Sequence, residues 1–335
     1  MTPFFCANLS RQRGEDIIGS APAYQTYIMV ECPYPWTGNA FESPGVPDNL
    51  RALVAEVKKA KLPIRFLLTL PPQPDPENLT QVLIFQRQPG LAPGYRKQEI
   101  RVRNISEVAP LLNKYLTPAG RQIEGEVSKT RDFFVCTHGS HDKCCSRYGY
   151  PFFRQGVAMA EKLGLKDVRF WQVSHIGGHR FAPTLISLPD GRYYGALDEE
   201  SLQAILLHQG DITCLSRVYR GWGLLPRKVQ VLERELILRH GWQWLPHAVS
   251  CRILKEFPEQ NLTQVELLYQ TSNGETFVYR GDITEDESKT LTMQGSCQGD
   301  KASTFIKYTA INIRQLPKVK SLNHLPSLTR IEKSA

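Results

Sequence analysis

The chain has 335 residues, and its 41 lysines and arginines against 33 aspartates and glutamates give a net charge of +8. Hydrophobic residues make up 41% of the sequence, which is too many for a disordered chain, and the length excludes a disulfide-stabilised miniprotein. No run of about 18 apolar residues is present, so no membrane partner is expected. The N-terminal segment lacks the apolar core of a secretory signal, so we expect a cytoplasmic protein with reduced cysteines.

The first part of the chain has the pattern of one α/β unit. The β-branched and aromatic run YQTYIMVEC predicts a strand, and apolar residues spaced i, i+3, i+4 and i+7 from Leu50 to Val57 predict a helix after Pro47. Further strands are predicted at 64–70, 81–86 and 99–103, and a second helix from Ser106 to Tyr115. This order favours helices packed on a sheet.

A polar stretch at 120–129 indicates a boundary, after which the same order of elements returns. The predicted elements are a strand at 133–136, a helix at 153–163, a strand at 168–173, a hairpin of 184–188 with 192–194, and a helix from Ser201. We therefore predict two related lobes, residues 1–125 and residues 126–225.

From residue 226 the pattern becomes rich in strands. After a helix at 229–238, strands at 265–269 and 276–280 flank Asn273-Gly274, a strong signal for a two-residue hairpin. Another strand is predicted at 305–313, and the segment after Pro317 is expected to be loose. Residues 226–335 are thus predicted to form a β-rich C-terminal region.

The most distinctive feature is the clustering of cysteine and histidine. Seven of the sixteen such residues fall between positions 136 and 179, in the segments FFVCTHGSHDKCCSRYG and FWQVSHIGGHRFAPT. Each segment begins as a strand and continues into a polar loop, which is where α/β folds place their chemistry. Gly177 and Gly178 separate His175 from His179, which favours a loop wrapped round a ligand over a helix.

These residues alone leave the identity of the ligand open between Zn²⁺ and an iron–sulfur cluster, because both accept thiolates and imidazoles. The spacing from Cys136 to Cys144 or Cys145 is wider than in structural zinc sites, which favours a cluster. His138 and His141 are expected to form hydrogen bonds within the loop.

The segments CTHGSHDKCCSRYG and FWQVSHIGGHRFAPTLISLPDG, followed by YYGAL, resemble the sucrase/ferredoxin-like family, which is related to thioredoxin-like [2Fe–2S] ferredoxins. The resemblance is specific over residues 133–197, weaker in the N-terminal lobe, and ends near residue 225. It implies an α/β fold of two thioredoxin-like (ferredoxin-type) lobes, with the β-rich region as a C-terminal appendage.

The resemblance also implies a ligand set. Cys136 and Cys145 would bind one iron of a [2Fe–2S] cluster, because the family's second cysteine falls nine residues after the first, and Cys144 is the substitute for Cys145. His175 and His179 would bind the other iron. Around them, Gly177, Gly178 and Arg180 would form the supporting shell, with Arg180 lowering the cluster charge, docking a partner or anchoring the loop.

The implied function is electron transfer with unidentified donor and acceptor proteins, so a redox carrier is favoured over an enzyme with its own substrate. Two neutral imidazoles in place of thiolates make a cluster less negative and easier to reduce. Because an imidazole can also take up a proton, the potential is expected to depend on pH.

Two alternatives remain at this stage. A zinc-stabilised binding module would use the same ligands, but nucleic acid is not an expected partner because the basic residues are scattered. The family name implies sucrose hydrolysis, which needs two carboxylates flanking the glycosidic bond. The carboxylates at 190 and 198–200 instead lie in a predicted turn and at a predicted helix start.

Overall fold

The structure of the chain, a computed structural model, describes residues 3–116, 130–299 and 301–317. It is a mixed α/β protein with one nine-stranded mixed sheet and a separate four-stranded antiparallel sheet. The predicted boundary at 120–129 and the predicted loose tail lie outside the described residues, and the boundaries of the three units stay predictions. Within the described ranges, no helix combines the length and hydrophobicity needed to cross a membrane.

The first half of the large sheet follows the predicted order. Its elements are α1 (Cys6–Gln12), β1 (Thr26–Glu31), α2 (Asp48–Lys59), β2 (Ile64–Leu70), β3 (Thr80–Arg87), β4 (Tyr95–Val102) and α3 (Val108–Tyr115). β1 lies parallel to β2 and antiparallel to β3, and β3 pairs with β4. α2 buries Leu50, Leu53 and Val57, as their spacing predicted, whereas the short helix α1 was not predicted.

The second half repeats this arrangement. Its elements are β5 (Arg131–Cys136), α4 (Lys143–Lys162), β6 (Val168–Val173), β7 (Leu185–Leu188), β8 (Arg192–Tyr194), α5 (Glu199–Leu207), α6 (Leu215–Val218) and β9 (Tyr219–Trp222). β5 lies parallel to β6 and antiparallel to β7, and β7 pairs with β8. The two halves therefore share one internal pairing pattern, to which β9 adds an edge strand.

The two halves join into a single sheet. β2 and β6 pair antiparallel through Thr69 with Val173 and Leu70 with Gln172. The strand order is β4-β3-β1-β2-β6-β5-β7-β8-β9, so the sheet runs without interruption through both halves instead of forming two small sheets.

The C-terminal region is rich in strands, as predicted. Its elements are α7 (Arg227–His240), β10 (Ala248–Phe257), β11 (Leu262–Gln270), β12 (Thr276–Glu285), β13 (Leu291–Gln294), β14 (Ala302–Phe305) and β15 (Tyr308–Gln315). The four-stranded sheet has the order β10-β11-β12-β15, and the predicted hairpin at Asn273-Gly274 joins β11 to β12. Leu232 of α7 and Val265 of β11 are fully buried in the same core as the large sheet, so this region packs closely on the rest of the chain.

The helix that leads away from the cysteine loop is longer than predicted. α4 begins at Lys143, ten residues before the expected start at Phe153. Gly149 and Pro151 disfavour a helix locally, but Asp142 caps its first turn by accepting a hydrogen bond from the Cys144 N–H. The extension carries the two adjacent cysteines into the first turn of the helix.

Candidate metal centre

Two adjacent strands of the large sheet end side by side at the cysteine- and histidine-rich loops. β5 and β6 are parallel, and Cys136, the last residue of β5, pairs with Val173, the last residue of β6. Parallel strands present their carboxyl ends at the same edge of a sheet. His175 follows β6 by two residues, so the fold brings the two predicted motifs together.

Cys144 and Cys145 are the second and third residues of α4. The N-terminal end of a helix favours negative charge, and therefore favours thiolates. Successive helical residues point about 100° apart, so two adjacent thiols leave the helix in different directions. Cys145 faces Cys136, whereas Cys144 faces Cys6 and Cys297.

Cys136, Cys145 and His175, termed the first group, have ligand atoms within 4.8 Å of one another. Nδ1 of His175 lies 3.6 Å from Sγ of Cys145 and 3.9 Å from Sγ of Cys136. Both thiols are 1% exposed. The hydrogen bond from the Cys145 thiol, followed by contact with His175, holds the pKa of Cys136 well below the usual value despite its burial. The first group therefore offers a thiolate, a second sulfur and an imidazole, which suit Zn²⁺ or iron.

The histidine loop has a fixed backbone. Gly178 has a φ of 77°, in the left-handed region, and a Cβ there would lie 2.7 Å from the Arg220 guanidinium. Arg220 donates from Nη1 to the carbonyl of Gly177 at 2.9 Å, and Arg65 donates from Nη2 to the carbonyl of His175 at 2.8 Å. These two arginines hold the backbone that carries both histidines.

Arg180 has the contacts of a loop anchor. Its Nε donates to both carboxylate oxygens of Glu15, at 3.0 and 3.1 Å, and its guanidinium lies over the rings of Phe181 and Phe305. Lys307 also donates to Glu15, at 2.6 Å. Of the three roles predicted for Arg180, anchoring the loop is the one that these contacts support.

His138 and His141 form the predicted hydrogen bonds within the loop. His138 accepts at Nδ1 from the N–H of His175 at 3.2 Å and donates from Nε2 to the carbonyl of Thr37 at 2.7 Å. His141 donates from Nδ1 to the carbonyl of Gly38 at 3.1 Å, and its ring stacks on His175 at 3.8 Å between centroids. Together they fix both the backbone and the ring of His175.

His179 lies between the first group and the N-terminal helix. Its ring centroid is 5.5 Å from that of His175, and its Nδ1 lies 3.2 Å from Oδ2 of Asp142 and 3.4 Å from Sγ of Cys6. Burial lowers the pKa of His179, which favours the neutral imidazole that metals bind. The structure thus brings Cys136, Cys145 and His175 together, with His179 alongside.

Cys6, Asp142, Cys144 and Cys297, termed the second group, also have ligand atoms within 4.8 Å of one another. The Sγ atom of Cys144 is 3.5 Å from that of Cys6 and 3.3 Å from that of Cys297, and the Cys6 and Cys297 sulfurs are 3.6 Å apart. All eight cysteines are free thiols. The donors are three sulfurs and one carboxylate.

From the sequence, Cys144 is expected only as a substitute for Cys145, and no role is expected for Cys6 or Cys297. The adjacent cysteines at 144 and 145 were the one sequence feature that could have indicated a second group, because two neighbouring thiols on a helix point in different directions. Nothing local indicates the partners, since Cys6 and Cys297 lie 138 and 153 residues from Cys144.

The fold and these groups define a class of protein: a mixed α/β protein with largely buried groups of cysteine, histidine and aspartate that could hold a metal ion. Residues 17–221 match the family model described as sucrase/ferredoxin-like. The match covers well over half of the chain, and the protein belongs to the sucrase/ferredoxin-like family. The comparisons with curated proteins and with solved structures gave no match.

Proposed function

We propose that the protein is a one-electron carrier that binds a [2Fe–2S] cluster through Cys136, Cys145, His175 and His179. The convergence of the first group at two strand ends supports a metal site, within the part of the chain that matches the family, and the [2Fe–2S] cluster is what the family resemblance implies for that site. A [2Fe–2S] cluster, when bound, accepts and returns one electron. The two buried sulfurs would hold one iron, and the two histidines would hold the other.

The contacts of His179 support it as the fourth ligand. Its Nδ1 faces Oδ2 of Asp142, and a hydrogen bond there fixes the tautomer and leaves Nε2 available for iron. Metal-binding histidines usually donate their other N–H to a carboxylate or carbonyl in this way. His175 is oriented differently, by His138 and His141.

We further propose that each half of the large sheet is a thioredoxin-like lobe. Support comes from the repeated pattern of a parallel pair, an antiparallel hairpin and a helix. The two histidines are partly exposed whereas the two sulfurs are buried, so donor and acceptor proteins would approach from the histidine side. We also propose a cytoplasmic location, because the eight cysteines are free thiols and the cytosol keeps thiols reduced.

A zinc-stabilised binding module is the second candidate, because Zn²⁺ accepts the same thiolates and imidazoles. Sucrose hydrolysis has less support. Asp198 accepts from the Ser201 N–H at the start of α5 and pairs with Arg217, which is a structural use of that carboxylate.

Anaerobic reductive titration tests the proposed function. The freshly purified full-length protein should take up about one electron per chain from dithionite and return it to a one-electron acceptor dye, with bleaching and recovery of its visible absorption. A protein that takes up no electrons reversibly would contradict electron transfer and favour the zinc module.

The ligand assignment predicts a pH-dependent potential. A histidine ligand that has lost its outer N–H proton in the oxidised protein would regain that proton on reduction, so the potential would fall by about 59 mV for each unit of rising pH. Replacing His179 by Cys should retain a cluster, lower its potential by about 100 mV or more, and reduce the pH slope, because a thiolate is more negative and leaves one fewer imidazole. Potentials of both proteins measured across pH check this. A spectrum and potential unchanged by His179→Cys would contradict the assignment of His179.

A further inference from the structure

We propose that Cys6, Cys144, Cys297 and Asp142 bind one thiophilic divalent ion, of the Zn²⁺ type, in a second site beside the first group. This site uses none of the four residues assigned to the cluster. Cys6 and Cys297 also lie outside the interval that matches the family.

The spacing of the three sulfurs is close to that of three thiolates bound to one tetrahedrally coordinated ion. Their separations are 3.3, 3.5 and 3.6 Å. Three thiolates about 2.3 Å from a tetrahedral Zn²⁺ are about 3.8 Å apart, so a few tenths of an ångström of outward movement would accommodate the ion. A disulfide would join only two of the three sulfurs and leave the third unused.

Backbone amides already favour negative sulfurs at this position. The N–H of Cys6 donates to Sγ of Cys297, and the N–H of Ala7 donates to Sγ of Cys144, both at 3.4 Å. Hydrogen bonds to a charged acceptor are stronger than neutral ones. The thiol protons of the three cysteines would be released when the ion binds.

Asp142 is oriented to supply the fourth donor. Its Oδ1 accepts from the N–H of Cys144 at 2.9 Å, and its Oδ2 accepts from the N–H of Cys297 at 3.1 Å. Oδ2 also faces Ser296 and His179. A carboxylate held by several hydrogen bonds is an ordered metal ligand, and oxygen is an accepted donor for Zn²⁺.

The ion would link three segments that are distant in sequence. Cys6 begins α1, Cys144 lies in the first turn of α4, and Cys297 lies in the loop after β13. Cys6 and Cys297 are separated by 291 residues. The site would therefore tie α1 and the loop after β13 to the helix that carries Cys145, and so stabilise the surroundings of the first group.

Metal analysis of full-length variants tests the second site. Wild-type protein should contain about one zinc per chain, and the Cys6→Ser/Cys297→Ser double variant should retain less than about a fifth of it, while iron and the visible spectrum stay near wild-type values. Cys251→Ser is the matched control, because Cys251 is also a partly buried thiol but belongs to neither group, and its zinc content should not change.

X-ray absorption at the zinc edge of the wild-type protein keeps the test decisive if the double variant does not fold. The expected shell is three sulfurs at about 2.3 Å and one lighter atom at about 2.0–2.2 Å. Wild-type protein without zinc, a shell without sulfur, or zinc retained in the double variant would overturn the proposal. Zinc that depends on Cys6 and Cys297 in a protein without iron would uphold the second site and contradict the proposed function, so the two failures are distinguishable.

Discussion

Replacing Cys136 by alanine should lower the bound iron and the visible absorption to less than about a tenth of the wild-type values. Contact with Cys145 and His175 holds the pKa of the Cys136 thiol well below its usual value, and Cys136 ends the strand that positions the first group. Its loss leaves Cys145 and His175 facing a methyl group, and no nearby sulfur can replace it, because Cys144 faces the second group. Iron analysis and the absorption spectrum measure the effect.

Cys32→Ala provides the matched control for this change. Cys32 directly follows β1, the strand that corresponds to β5 in the first half of the sheet, and it is 0% exposed. Its Sγ contacts the carbonyl of Pro33 at 3.7 Å and belongs to neither metal group. The two alanine variants should lose comparable stability through the same truncation, but Cys32→Ala should keep its iron. Equal iron in both variants would show that Cys136 is not a ligand.

Replacing Gly149 by alanine should destabilise the protein by about 3 kcal/mol or more, and should also reduce iron binding. A Cβ at this position of α4 would lie 1.9 Å from the carbonyl oxygen of Cys136. The clash is between the new methyl group and a backbone carbonyl that cannot turn aside, so α4 or the end of β5 has to move. Either movement changes the position of the Cys136 sulfur relative to that of Cys145. Urea unfolding monitored by circular dichroism, with iron analysis of the same sample, measures both effects.

Gly164→Ala separates this clash from the general cost of losing a glycine. Gly164 follows the same helix with a φ of 66°, and a Cβ there would meet no atom within 4 Å. Replacing Gly164 by alanine should lower the free energy of unfolding by about 1–2 kcal/mol, the strain of a left-handed backbone at a residue with a side chain, and should leave iron binding intact. A Gly149→Ala variant as stable as Gly164→Ala would contradict the close packing of α4 on Cys136.

Much of the fold follows from local patterns. The periodicity of apolar residues located α2 and α3, and the bounds of β2 and β6 agree with the β-branched and aromatic runs at 64–70 and 168–173. The continuity of the sheet could not be predicted, because only two residue pairs join β2 to β6 and no local pattern indicates them. The start of α4 was missed because Gly149 and Pro151, which local rules read as helix breakers, lie within it.

Part of the candidate site could likewise be predicted from the sequence, and part of it could not. The dense segment and the predicted strand ends pointed to a site near Cys136 and His175, whereas the choice of Cys145 over Cys144 came from the family resemblance. The structure brings these three residues together. The second group could not be found from spacing, since Cys6 and Cys297 approach Cys144 only through tertiary packing. The position of Asp142 in the second group could not be predicted either, because an aspartate that only caps a helix and one that also lies beside thiols occur in the same local sequence.

The most direct test of the central claim is the iron and acid-labile sulfide content of freshly purified, anaerobically handled full-length protein, measured together with its absorption spectrum. The proposed ligand set predicts about two iron and about two sulfide per chain, with the charge-transfer absorption of a [2Fe–2S] cluster in the visible region. Zinc in place of iron, with no acid-labile sulfide and no visible absorption, would contradict it.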